Sequence, residues 1–309
     1  MANWQLKTPV AFIIFNRPET TERVFAEIAK VKPPKLLVVA DGPRPDRPGE
    51  LEKCAATREV IKRVDWECEV LTNFSDVNLG CRNRPASGID WVFEQVPEAI
   101  ILEDDCLPHP SFFRFCEELL ERYRDDERIG LISGDNFQFG RKRGEASYYF
   151  SRYNHIWGWA SWRRAWRHYD RDASLWPAFR DGGWLDALVN THSERRHWAK
   201  AFDAVFEDQL DAWDYQWTLA LWSQGMVSAL PNVNLISNIG FGADATHTHK
   251  VSVYADMPVE PIEFPLRHPK IVLPHPEADT FTGRRSFSTS VAGMVLQELR
   301  NISLRFRAR

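Results

Sequence analysis

The strongest constraint on this chain is a rhythm of short apolar runs, each followed by a stretch with helical spacing. Val10–Phe15, Lys35–Ala40 and Cys68–Asn73 read as strands, and Ala99–Leu102 as a fourth. After the first, residues 18–31 place Val24, Phe25, Ile28 and Val31 on one helical face, and Pro18 suits the first turn. A second helix is expected over roughly Leu51–Val64, and a third opens at the loop Asp76–Asn83 and ends near Val96. A fourth runs to about Arg124, with Phe112, Phe115, Cys116, Leu119, Leu120 and Tyr123 on its core face. Strand and helix alternating four times predict an α/β fold with a parallel, doubly wound sheet. Ligands of such sheets sit beyond the carboxyl ends of the strands, so the residues there are the ones to read for function.

The fourth strand runs straight into Glu103-Asp104-Asp105. No core accepts three adjacent carboxylates unpaired. With side chains alternating, Glu103 and Asp105 are expected on one face and Asp104 on the other. Oxygens clustered this way suit Mn2+ or Mg2+ shared with the phosphates of a nucleotide, and the plainer alternative is a solvated acidic turn. Arg17, beside a helix N-terminus, suits a diphosphate, or is simply solvated. Asp41 ends the second strand and could accept from a ribose hydroxyl or a base N–H, or could only form the turn before Gly42-Pro43. Asn78 and Gly80 read equally as ligand contacts or turn chemistry.

Composition narrows the class. A net charge of −4 argues against a nucleic-acid partner. Five cysteines without a CxxC spacing suggest a reducing compartment and no disulfide framework. The first seven residues lack a signal-peptide pattern, and no apolar run approaches the ~18 residues of a membrane span. The expected location is the cytoplasm.

Ordered along the chain, Asn16-Arg17-Pro18, Ala40-Asp41-Gly42, Asn78-Leu79-Gly80 and Glu103-Asp104-Asp105 with Pro108-His109-Pro110-Ser111-Phe112-Phe113 resemble GT-A glycosyltransferases. N-acetylglucosaminyltransferase I and bacterial family-two-like nucleotide-sugar transferases are the nearest in pattern. The resemblance covers about residues 8–250. It implies a GT-A fold (Rossmann-like, with flanking helices), a nucleotide-sugar donor, usually a UDP-sugar, and a Mn2+ or Mg2+ ion. By position Asp105 would bind the metal, Glu103 and Asp104 would contact ribose or sugar hydroxyls, and Asn16 would join Arg17 at the donor.

The second half adds an aromatic segment, His155–Trp162, in a chain with thirteen tryptophans. Indole faces stack on sugars, but Trp162 and Trp166 fall at i, i+4 and read as core. In the resembled family a Gly-Trp pair here lies near the sugars, which keeps Trp157, Gly158 and Trp159 as donor contacts. Residues 184–225 read as helical, and Asp214 opens a helix with Trp217, Leu221 and Trp222 on its apolar face. An acid there is ordinary at a helix start. In the resembled enzymes, however, a Trp-Asp segment supplies the catalytic base of an inverting transfer, which makes Asp214 the candidate and Asp211 the reserve. Ile236-Ser237 with Phe241-Gly242 resembles the run after that base. His247, with His249 close behind, is the expected second metal ligand.

The organisation expected is a catalytic domain over 1–256, with a donor half at about 8–137 and an acceptor and base half at about 138–256. Residues 257–309 would form a Pro-rich wrap and a basic amphipathic C-terminal helix. That helix could lie on an anionic membrane at its inner face, or pack on the domain or a second subunit. The acceptor would be a glycan, a lipid-linked sugar or a protein, in polysaccharide or glycoconjugate assembly. Two other readings stand beside this one. A sugar-phosphate nucleotidyltransferase would carry a Gly-rich basic loop after the first strand, which Phe15–Pro18 lacks. A non-catalytic sugar-binding relative would have lost the acids or the base.

Overall fold

The apolar runs form the centre of an eight-stranded sheet in a computed structural model that describes residues 4–189, 191–241 and 253–287. Its strands are β1 (Val10–Ile14), β2 (Lys35–Ala40), β3 (Glu69–Phe74), β4 (Glu98–Glu103), β6 (Ile129–Ser133), β7 (Tyr148–Ser151), β8 (Trp159–Trp162) and β9 (Val227–Pro231). A separate antiparallel pair joins β5 (Cys106–Pro108) to β10 (Ile236–Asn238). The large sheet is ordered β3-β2-β1-β4-β8-β6-β9-β7. Pairings are parallel from β3 to β4 and between β6 and β9, and antiparallel around β8 and at β7. The fold is therefore α/β with a mostly parallel central sheet, as the strand rhythm predicts.

The helices are α1 (Pro18–Val31), α2 (Glu50–Glu59), α3 (Gly80–Gln95), α4 (Ser111–Arg122), α5 (Arg163–Trp166), α6 (Trp176–Asp181), α7 (Trp184–Leu188), α8 (His192–Phe206), α9 (Asp214–Ser223) and α10 (Pro276–Thr282). Strand alternation splits the core between two faces. Val10, Phe12, Ile14, Leu36, Val38 and Ile100 pack with α1 and α4, whereas Ala11, Ile13, Leu37, Val39 and Ile101 pack with α3 and Trp217 of α9. Each valine, leucine, isoleucine or phenylalanine among them removed from water contributes roughly 1.5–3 kcal/mol, which fixes the register of the strands that carry the site. A third cluster, around Trp176, Trp198, Phe202 and Trp222, joins α6, α8 and α9.

Three differences from the sequence reading matter. The stretch 184–225 is not continuous helix: α8 ends at Phe206, and the segment before Asp214 is irregular. The Pro-rich stretch is tied to the domain by backbone bonds such as His275 N to Phe150 O (2.7 Å), and it leads into α10, which pattern reading did not anticipate. Its signal was present: Pro276 at the first position, with Glu277 and Asp279 in the first turn. The basic C-terminal helix expected beyond Ser288, together with His247 and His249, lies outside the described residues. Among the described residues no helix is long and apolar enough to cross a membrane.

Candidate active site

The chain passes from β1 outward through β2 to β3, then returns to place β4 on the other side of β1. That reversal opens a crevice beyond the carboxyl ends of β1 and β4, which are in parallel register with Ile13 opposite Glu103. Arg17 leaves the end of β1, and Glu103, Asp104 and Asp105 leave the end of β4. The site is thus assembled by topology.

Here the expected alternation of the three acids is corrected. β4 ends at Glu103 and the chain turns at Asp104 and Asp105, so the two aspartates face the same arginine. Arg17 Nη1 donates to Asp105 Oδ2 at 2.6 Å and lies 3.5 Å from Asp104 Oδ1. Asp104 is buried and its Oδ2 accepts the N–H of Phe15 at 2.9 Å, locking the acidic turn to the end of β1. Glu103 has one oxygen, Oε1, fully enclosed with no hydrogen-bond partner. Burial pushes the carboxyls of Glu103 and Asp104 well above the usual range, and the charge of Asp105 pushes the same way, while Arg17 opposes both. Burial would lower the pKa of the Arg17 guanidinium, but Asp104 and Asp105 outweigh it and raise it. Among the described residues Arg17 is the guanidinium facing these acids, and burial favours the uncharged forms of Glu103 and Asp104.

The small sheet brings a distant segment to the same place. Ile239 N–H donates to Asp105 O at 2.8 Å, and the next residue is Gly240. A Cβ at Gly240 would fall on Asp105 Oδ2 and stand 2.7 Å from the Asp105 Cβ, so only glycine leaves room for that carboxylate. Gly240 was missed in the sequence, where nothing local marks it.

Asp214 begins α9 and is half-buried. Its charge contributes to raising the Glu103 carboxyl, so it belongs to the same electrostatic cluster. Cys81 at the start of α3 marks the centre: burial raises its thiol far above its usual range, and Glu103, Asp211, Asp214 and Asp105 add to the effect. The reserve residue Asp211 has a different task. Its oxygens accept the N–H groups of Cys81 (3.1 Å) and Arg82 (2.7 Å), capping α3 from outside.

Asp41, Asn78 and Gly80 are brought together, facing inward. Asp41 accepts from Gly42 N (2.9 Å), Leu79 N (2.9 Å), Gly80 N (3.2 Å) and Asn78 Nδ2 (3.0 Å). Burial raises its carboxyl despite those bonds. A nucleoside contact at Asp41 or Asn78 would have to displace this network. Gly80 has φ +79° and lies against Asp211, 3.1 Å from a built Cβ, which explains the glycine. Asn16 donates to Glu50 at 2.9 Å, and Glu50 in turn holds Arg44.

The aromatic segment divides. Trp157 is half-exposed, edge-on to Phe137 and Phe241 with centroids 5.3 and 5.6 Å away. Gly158 has φ +76°, and a side chain there would meet Ile236 at 2.5 Å. Trp159 is corrected: 1% exposed in β8, it is enclosed by Trp166, Trp213 and Trp217, so its face is closed to a sugar. Trp162 and Trp166 are core, as their spacing predicts. Behind Trp157 stands Asp135, fully buried, with one oxygen taking the Trp157 N–H at 3.0 Å and the other without a partner. Burial pushes its carboxyl far up.

As to a metal, no group of three His, Cys, Asp or Glu arranged to hold an ion is found among the described residues. The carboxylate oxygens of Glu103 and Asp105, one of them unpartnered, are donors of the type a hard divalent cation takes. A cavity of about 730 Å3 opens along α3 between Leu79, Asn83, Asp90, Tyr169 and Arg171, beside Asn78 and Gly80 and not at the acidic turn.

Neither protein-family models nor curated proteins match the chain. Among solved structures it is similar to galactosyltransferase LgtC in complex with donor and acceptor sugar analogs, at 12% identity over 72% of this chain and 73% of that one, with TM-score 0.38. It is also similar to inositol-1-phosphate CTP transferase from T. maritima (10%, covering 73% and 86%, TM-score 0.35). A third likeness is to 4-diphosphocytidyl-2C-methyl-D-erythritol synthase from Anaerococcus prevotii (9%, covering 65% and 84%, TM-score 0.31). Scores this low carry no argument about chemistry, and the α/β class rests on the sheet topology itself.

Proposed function

We propose that this chain is a GT-A-type glycosyltransferase that moves a sugar from a nucleotide-sugar, a UDP-sugar by preference, to an acceptor hydroxyl with inversion. The observation that carries the reading is the pairing of Arg17 with the turn of Asp104 and Asp105 at the β1–β4 reversal, and the charge of Asp214 acts on Glu103 there. In this scheme the Asp214 carboxylate takes the proton of the acceptor hydroxyl as that oxygen bonds to the anomeric carbon. The bond from that carbon to the nucleoside diphosphate breaks, and its electron pair leaves with the diphosphate. Arg17, held at the crevice by Asp105, stabilises the negative charge that develops there. Asp105, with Glu103 behind it, would hold Mn2+ or Mg2+, and the bound ion would supply further charge neutralisation of the leaving diphosphate. Trp157 offers the exposed aromatic edge to a sugar.

Calorimetric titration with UDP, GDP, CMP and dTDP, with and without Mn2+, tests the reading, with Asp105→Ala as the control. Binding of one nucleotide that needs the metal and is lost in the variant is the expected result. No binding of any nucleotide under either condition would overturn it. A nucleotidyltransferase would instead consume a nucleoside triphosphate and release pyrophosphate, which incubation of the chain with CTP or UTP and a sugar phosphate would reveal.

A further inference from the structure

A second charged concavity lies away from the acidic crevice, where the segment after β6 meets α10 and the turn that follows it. It encloses about 580 Å3, a volume suited to a small ligand, and Arg141, Arg143, Arg284 and Arg285 line it. Its floor is built. Gln138 is fully buried, donates to Thr282 Oγ1 at 2.9 Å and accepts from Arg143 Nε at 2.8 Å. Arg143 is the one arginine of the four with a carboxylate partner among the described residues, Glu277 at 3.1 Å. The other three are exposed, and aromatic faces or backbone position two of them. The Arg141 guanidinium stands 4.4 Å over Phe281 and donates to Gln138 O at 3.3 Å, while Arg285 stands 4.1 Å over Phe139. Stacking on a ring fixes a guanidinium's plane and leaves its N–H edges outward.

Four arginines share this cavity with a single lining acid, Glu277, so like charges repel each other there, and an oxyanion relieves that repulsion. We propose that this groove binds a phosphate group borne by the acceptor. The anion site stands on the geometry alone; its assignment to the acceptor rests on the transferase reading. An aromatic path supports that assignment: Phe139 and Phe137 both pack on Tyr254 (5.7 and 4.9 Å), and Phe137 packs on Trp157 at the edge of the crevice (5.3 Å). A phosphate held in the groove therefore places the body of its carrier along the wall toward Trp157.

The test is calorimetric titration of the full chain with inorganic pyrophosphate in the absence of divalent cations, beside co-sedimentation with phosphatidylcholine vesicles containing phosphatidic acid. The variant is Arg141→Gln/Arg284→Gln/Arg285→Gln, which leaves the buried Arg143 in place. The control, Lys53→Gln/Lys62→Gln/Lys200→Gln, removes the same charge from exposed helical positions elsewhere. Pyrophosphate affinity is expected to fall at least about 30-fold in the arginine variant and little in the control, with melting temperature and crevice nucleotide binding unchanged. Loss of pyrophosphate binding identifies a soluble phosphate ester as the source, and loss of vesicle binding alone identifies a lipid headgroup. If the arginine variant matches the control in both arms, the groove is not an anion site. Failure of nucleotide binding in the crevice, with the arginine effect intact, would overturn the transferase reading while the groove stands.

Discussion

The acidic crevice and the arginine groove are opposite solutions to holding like groups together. In the crevice the acids are clustered, buried, and locked by backbone: Phe15 N–H on Asp104, Ile239 N–H on the carbonyl of Asp105, and Gly240 leaving room for the Asp105 carboxylate. In the groove the excess charge is positive, exposed, and held by ring faces over a neutral buried floor. Burial raises the pKa of clustered acids, whereas exposed excess charge is screened by salt and chiefly steers a ligand. Changes at the crevice should therefore act on chemistry and on nucleotide affinity, and changes at the groove only on acceptor binding.

The sharpest test of that division is Asp214→Asn. It removes the proposed base without altering shape, so transfer should fall by roughly 10²–10⁴-fold while nucleotide binding in the crevice stays near wild type. A parallel loss of nucleotide affinity would mean that Asp214 belongs to the donor site, and the comparison would need redrawing.

Two glycines separate site from scaffold at the next level of effect. Gly240→Ala drives a methyl into the Asp105 carboxylate, so nucleotide affinity should drop about tenfold or more with a small change in melting temperature. Gly158→Ala drives one into Ile236 and Leu102 at a positive φ, so it should cost about 1–3 kcal/mol of stability in chemical denaturation. Where Gly158→Ala still folds, its nucleotide affinity should be unchanged. Reversal of these two outcomes would show that the Trp157 segment, not the 239–240 turn, shapes the donor site.

Much of the crevice was legible because its parts sit at strand ends, where periodicity stops and polar residues begin. Arg17 after β1 and the three acids at the end of β4 follow from that rule alone. Contacts made across the chain were not legible. Asp211 looks like any loop acid until its oxygens are found on the α3 N-terminus 130 residues away. Trp159 reads as a sugar platform because a four-residue strand is too short to show its period, and burial is decided by Trp166, Trp213 and Trp217 from other elements. The groove needed both Arg141 and Arg285, brought together only by the docking of α10, whose Asp279 takes the hydroxyl of Ser151 at 2.6 Å and pairs with Arg152 at 2.9 Å.

The smallest predicted effect concerns the wall between the two concavities. His155 packs on Phe137 with centroids 4.4 Å apart, is 7% exposed, and has Nε2 enclosed without a partner. Burial pushes its pKa down from 6.5 to about 3, so the imidazole stays neutral in the fold. In the unfolded chain it gains a proton as pH falls below about 6.5, and below that point the unfolded state binds more protons than the native one. The fold should thus lose about 2 kcal/mol through this one residue between pH 6.5 and 5, and go on losing stability toward pH 3. His155→Phe keeps a ring against Phe137 and removes the proton site, so chemical denaturation at stepped pH should show a shallower acid slope for the variant. Equal slopes would mean that the imidazole is already protonated in the native wall. A cation would then stand between crevice and groove, and the wall would no longer be neutral ground separating them.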